Sequence, residues 1–145
     1  MIYTDKTKLA MKICFDVHRG QVDKSGMPYV FHPFHIAEQM KNETTTVVAL
    51  LHDVVEDSAV TFEDIAEYGF GDIVVDALRL LTRGKDERYF DYIEKIKKNE
   101  IAKTVKLADL SHNSDLSRLN EICEKDIARA EKYKRAIEIL SEENA

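Results

Sequence analysis

Four side chains able to bind a metal or move a proton stand close together in the segment Val48-Ala49-Leu50-Leu51-His52-Asp53-Val54-Val55-Glu56-Asp57. They are His52, Asp53, Glu56 and Asp57. Apolar residues fall on nearly every side of this segment, so as a helix it should be buried. Buried carboxylates and imidazoles are costly unless they pair or hold a metal. Helical spacing sets His52 under Glu56 and Asp53 under Asp57, one turn or roughly 5–6 Å apart. A His-Asp pair holding an ion, with two carboxylates one turn further on, suits a metal-assisted hydrolase. The same residues also suit a satisfied polar cluster or a frayed helix end, and these ten residues leave both readings open.

Two other places can add ligands. His32 precedes Pro33 in a loop, residues 20–33, that holds both prolines of the chain and two of its five glycines. Such a loop is a shaped connection. Proline biases His32 toward extended backbone and sits at the first turn of the next helix. Further on, Lys106, Asp109 and Asn113 are spaced three and four apart, which puts them on one face of a helix with apolar neighbours Leu107, Ala108 and Leu110. A solvated Lys–Asp pair is the plain alternative there. His18, at a helix end, reads as a cap or structural hydrogen-bonding residue, and His35 as a surface or supporting residue.

The elements that must position these groups are helices. Apolar spacing and stop signals predict helices over residues 5–19, 33–41 and 42–57. Thr61 caps a short helix with Asp64 as return partner and Val60–Ile65 as staple, and Gly69 ends it. Further helices are expected over 72–82, 88–98 (Phe90, Ile93 and Ile96 inward), 100–114 and 125–141. The last should pack Ile127, Ala130, Tyr133, Ile137 and Leu140, its many Lys and Glu being surface charge. No segment alternates as a strand does. The expected fold is all-α, a bundle of about eight helices around the buried 42–57 helix.

Composition agrees. At 145 residues, with 44% apolar and 33% charged residues, the chain has the makeup of one globular domain spanning 1–145. A formal net charge of −6 argues against nucleic-acid binding. Cys14 and Cys123 form no CxxC pair and read as two buried, reduced thiols, as expected in the cytoplasm. No signal-peptide pattern and no apolar run of membrane-spanning length is seen, so no membrane partner is expected.

Taken in order, Gly-Gln at 20–21, Lys-Ser-Gly at 24–26, Pro-Tyr-Val-Phe-His-Pro at 28–33, His-Asp-Val-Val-Glu-Asp at 52–57, and Val-Lys-Leu-Ala-Asp at 105–109 followed by Asn113 resemble the HD-type hydrolase domain of the RelA/SpoT homologues. The likeness is greatest to their small stand-alone forms and runs from about residue 18 to 119. It implies an HD-domain helical bundle with His32, His52, Asp53 and Asp109 as ligands of Mn2+ or another divalent ion. Glu56 and Asp57 would handle the attacking water and its proton. Asn113 would contact ribose, Lys24 and Ser25 would lie near the nucleotide, and Lys106 would supply positive charge. The implied reaction removes 3′-pyrophosphate from (p)ppGpp, the stringent-response alarmone, giving GDP or GTP, in a monomer or homodimer without room for a synthetase domain. Asp23, Leu110 and Asp115 stand where the family often has basic residues, which implies weaker binding of ppGpp. Another nucleotide or phosphate ester, such as a nucleoside monophosphate or NADPH, and a non-catalytic nucleotide-sensing module are the alternatives.

Overall fold

The computed structural model describes residues 1–142. Among them lie nine α-helical segments and one 3-10 turn, and the only β pairing is an isolated bridge between Val22 and Pro28. The fold is all-α, as expected.

Helix α1, Asp5–His18, starts at a capping box in which Thr4 and Thr7 bond each other's backbone N–H. It buries Ala10, Ile13, Cys14 and His18. Gly20, at φ 80°, turns the chain away. Helix α2, Phe31–Glu38, begins earlier than expected. His32 is therefore helical and not extended. The N–H groups of Phe31 and His32 bond the carbonyls of Pro28 and Tyr29, so tight turns lead straight into the helix. Pro33 is tolerated in this first turn because its missing N–H would have no partner in the helix anyway.

The central helix is where the fold departs most from expectation. Asn42 caps α3, Glu43–Leu51, and every residue from Thr45 to Leu51 is buried. The helix then breaks at His52–Asp53, and a single turn, α4 (Val54–Asp57), follows. The reason is local. The His52 ring reaches the Ala49 carbonyl oxygen, the acceptor that an unbroken helix would pair with the N–H of Asp53. Asp53 relaxes to φ −106°, ψ −1°. Counting α3 and α4 as one gives the expected eight helices.

Helix α5, Phe62–Glu67, has the predicted Thr61–Asp64 capping box. Helix α6 is Asp72–Leu81 and α7 is Tyr89–Lys97. On α7 the inward aromatic is Tyr92, whereas Phe90 is exposed. Helix α8, Glu100–Asn113, buries Ala102, Val105, Asp109 and Leu110. The 3-10 turn Leu116–Arg118 leads to α9, Glu124–Ser141. Ala130, Ala136, Ile139 and Leu140 face inward on α9, and Ile127 is exposed, contrary to expectation. Cys123 is also exposed, because its thiol sits at the α9 N-terminus beside Asp126. Cys14 is buried as predicted.

Helices α1, α2, α6 and α8 all pack on α3, and α7 and α9 pack on α8. This layering brings the start of α2, the broken end of α3 and the second half of α8 to one place.

Candidate active site

The three elements converge on a chain of polar contacts. His32 Nε2 lies 2.8 Å from Asp109 Oδ1, and His52 Nε2 lies 3.5 Å from that oxygen. His52 Nε2 is also 3.1 Å from Asp53 Oδ2. Ligand atoms of His32, His52 and Asp109 all fall within 4.8 Å of one another. These three residues are 3%, 5% and 5% exposed. A cluster of two imidazoles and a carboxylate, shut off from water in this way, can hold a metal ion.

The chemistry of the donor set fits such an ion. His52 Nδ1 is 2.5 Å from the Ala49 carbonyl oxygen. A carbonyl only accepts, so Nδ1 carries the hydrogen and the ring turns Nε2 toward Asp53 and Asp109. Yet Nε2 is buried and makes no directed hydrogen bond. A lone pair facing two carboxylates is stable only with positive charge among them. The pKa directions say the same. Burial works against charge on His52, but Asp53 and then Asp109 outweigh it and raise its pKa well above the usual range. Burial would raise Asp109, but Lys106, then His32 and His52, hold it well below the carboxylate range.

Surrounding contacts fix the orientation of these groups. The Tyr29 hydroxyl donates a very short hydrogen bond to Asp53 Oδ2. His32 Nδ1 lies 2.7 Å from His112 Nδ1, with the two rings stacked at a 9° interplanar angle. Burial, helped by Arg118, His32 and His35, lowers His112 to about 4. A neutral His112 can accept from His32 Nδ1, leaving His32 Nε2 to the cluster. Lys106 Nζ sits 2.9 Å from Asp109 Oδ2 and 5.2 Å from the centre of the Tyr92 ring.

Glu56 and Asp57 lie on α4, just beyond the cluster, and both are exposed. Glu56 Oε1 accepts from the Arg83 backbone N–H at 3.2 Å. Asp57 Oδ2 is 4.0 Å from Nδ1 of the buried His18, which Gln21 Oε1 approaches to 2.9 Å. Partial burial and then the charge of Asp53 raise both carboxyl groups above their ordinary values. A carboxylate beside a metal cluster can take a proton from water, and raised proton affinity makes it the stronger base.

A cavity of about 390 Å³ opens beside the cluster, lined by Tyr29, Lys24, Ser25, Asn113, Arg118 and Arg129 among others. Lys24 reaches Asp126 at 3.5 Å, and Ser25 Oγ donates to the Arg118 carbonyl oxygen. Asn113 Nδ2 donates to Asp109 Oδ1, so Asn113 links the cavity to the cluster. Of the four expected ligands, His32, His52 and Asp109 thus share one point in ligand reach, and Asp53 joins them through His52.

No family model matches the chain. It is 31% identical over 123 residues to the bifunctional (p)ppGpp synthase/hydrolase SpoT of Escherichia coli K12, an alignment that takes in 74% of this chain. It is 35% identical over 127 residues to a GTP pyrophosphokinase of Myxococcus xanthus, covering 75% of this chain. The chain spans 17% of the length of each relative. A solved structure of a metazoan SpoT orthologue, described as hydrolysing ppGpp with a role in starvation responses, superposes with a TM-score of 0.80. It is 27% identical, and the match covers 100% of this chain and 90% of that one. This chain belongs to the RelA/SpoT homologue family.

Within this RelA/SpoT domain, the three positions where the resemblance led to the expectation of a base have local duties. Asp23 Oδ1 accepts from the backbone N–H groups of Ser25 and Met27, closing its own loop. Leu110 is buried in the core. Asp115 caps the 3-10 turn through the N–H and hydroxyl of Ser117. Cations arrive from elsewhere. Arg118 lies 3.8 Å from Asp23, and Arg129 projects from α9 into the same cavity. Sequence reasoning missed both, and missed Tyr29 and His112. Tyr29 stands three residues before His32 and His112 three after Asp109, a spacing of nearly one turn that is the available signal.

Proposed function

We propose that this domain is a metal-dependent phosphohydrolase that removes 3′-pyrophosphate from (p)ppGpp, leaving GDP or GTP, with Mn2+ held by His32, His52, Asp53 and Asp109. The relatives' names include both synthesis and hydrolysis of this nucleotide, so the site must discriminate. The observation that carries hydrolysis is the contact chain His32–Asp109–His52–Asp53 with the carboxyl groups of Glu56 and Asp57 on the next turn.

Bound there, Mn2+ would lower the pKa of water and stabilise charge on phosphoryl oxygens. The chain's own groups do the rest. Glu56 and Asp57 orient water and take its proton as its oxygen bonds to the phosphorus next to the ribose. The bond from that phosphorus to the 3′ oxygen breaks. Pyrophosphate leaves, and the 3′ oxygen takes up the proton that the carboxylates drew from water, ending as a hydroxyl. Asn113 holds the ribose side, while Lys24, Ser25, Arg118 and Arg129 meet the nucleotide. Lys106 serves through Asp109, which absorbs its charge, more than by touching phosphate. The two exposed carboxylates argue against a purely sensing module, which would have no use for them. Among the described residues, no helix is long and apolar enough to cross a membrane, in keeping with a nucleotide substrate in the cytoplasm.

The test is product analysis with ppGpp beside NADPH and nucleoside monophosphates, with manganese and with chelator. Manganese-dependent release of GDP and pyrophosphate from ppGpp is expected. Turnover of NADPH or a monophosphate with ppGpp untouched would replace the alarmone as substrate. No turnover of any of them would remove the hydrolase reading.

A further inference from the structure

A second, smaller cavity, about 210 Å³, opens on the other side of Asn113 and Tyr133, which line both cavities. Its walls include Glu56, Arg83, Tyr89, Lys106 and Lys132. Two cations lie over one aromatic ring here: Lys132 Nζ is 4.4 Å and Arg83 Cζ 5.5 Å from the Tyr89 centroid. Neither has a carboxylate partner among the described residues. The Arg83 guanidinium donates only its Nε hydrogen, to the Glu87 carbonyl oxygen. Lys106 is matched by Asp109, and Glu56 is bonded to a backbone N–H. Burial, then Arg83, Arg129 and Lys106, lower the proton affinity of Lys132, as expected where positive charge is in excess. In a chain of net charge −6 this pocket reverses the sign locally. The Tyr89 hydroxyl is also buried with no hydrogen-bond partner, and a buried hydroxyl ordinarily has one.

We propose that the Arg83–Lys132–Tyr89 pocket is an anion subsite that takes the outer phosphoryl group of a diphosphate ester whose inner phosphorus faces Glu56 and the metal cluster. The idea rests on the phosphohydrolase reading of that cluster and adds a rule of specificity to it. The two cavities meet at Asn113 and Tyr133, and it is the charge of the small one that suits a phosphoryl group. Glu56 and Asp109 line the small one, so it begins where the reacting phosphorus would sit. A monoester has nothing to place there. A diphosphate places two negative charges against the two unpaired cations over the Tyr89 ring.

Inorganic pyrophosphate and orthophosphate are the probes, titrated calorimetrically into the full chain with manganese in excess of both. The parent should bind pyrophosphate at least about tenfold tighter than orthophosphate, the scale of one charge-assisted hydrogen bond. Lys132→Gln and Arg83→Gln should each narrow that gap several-fold, and Lys132→Arg should restore it. In parallel, the ratio of kcat/KM for ppGpp to that for p-nitrophenyl phosphate should fall by a similar factor in both Gln variants. Lys132 is exposed on α9, so its variant should fold even if the Arg83 variant does not. Equal affinity for the two anions in the parent, or an unchanged gap in Lys132→Gln, overturns the subsite. A pyrophosphate preference that responds to Lys132 without any ester turnover supports the subsite and instead overturns the hydrolase reading.

Discussion

The cluster of candidate metal ligands and the groove beside it are built in opposite ways. Cluster residues come from three helices and are sunk in the core, each held by a second group: Ala49 and His52, Tyr29 and Asp53, His112 and His32, Lys106 and Asp109. Groove residues stand on the 20–29 loop, the 3-10 turn and α9, joined by partly exposed clasps such as Lys24–Asp126 and Asp23–Arg118. Ligand geometry tolerates little error, so it is fixed by packing. Charge that only has to meet a phosphate can come from long, solvated side chains. Substitutions in the cluster should therefore cost metal and turnover, and those in the groove should cost affinity for substrate.

The largest effect should come from a cluster carboxylate. Asp109→Asn should lower manganese affinity, measured by calorimetry, by more than the roughly 10–100-fold typical of losing an outer contact. Activity should fall with it. It also leaves Lys106 buried without its partner, so thermal stability should drop. Retention of metal would break the contrast at its strongest point. Next, Glu56→Gln with Asp57→Asn should keep manganese while turnover falls by roughly two to four orders of magnitude. In the parent, the acid limb of kcat/KM should lie above ordinary carboxylate values. Both carboxyl groups are raised, so each keeps its proton, and is lost as a base, at a higher pH than a free carboxylate would. An acid limb at ordinary carboxylate pH, unmoved by either single substitution, would count against their role.

Tyr29→Phe and His112→Ala sharpen the comparison from the supporting contacts. Each should weaken manganese binding by roughly 10–100-fold and leave the helical circular-dichroism signal unchanged. In the groove, Arg118→Gln should raise KM for ppGpp several-fold at constant kcat, since it removes binding common to ground and transition states. Asp23→Asn keeps the oxygen that closes its loop but removes a charge facing Arg118, so KM should fall by a smaller factor. If Asp23→Asn raises KM, the Arg118 guanidinium depends on that carboxylate for its position. The mildest contrast is chemical. Cys123 is exposed, whereas burial pushes the Cys14 thiol up to about 12. One equivalent of a thiol reagent should react quickly at pH 8, and the second only on unfolding.

Much of this molecule was legible in the chain because it depends on short-range physics. The helix starts at Asn42 and Thr61, apolar periodicity and glycine stops are local, and they mark the helices within a few residues. Polar groups on a segment as apolar as residues 45–54 raised an ion site as one reading beside a satisfied polar cluster, and the fold is what brings His32 and Asp109 to His52. The rest was decided by contacts distant in sequence. The break at His52–Asp53 depends on a ring choosing Ala49's carbonyl, and helical periodicity runs straight through it. Tyr92 displaces Phe90 as the inward aromatic because its hydroxyl finds the Leu81 carbonyl across the bundle. Arg118, Arg129 and Lys132 look like ordinary surface charge until α9 and the 3-10 turn fold back along the groove. Periodicity tells a residue which face it occupies; only the packed bundle determines what that face meets.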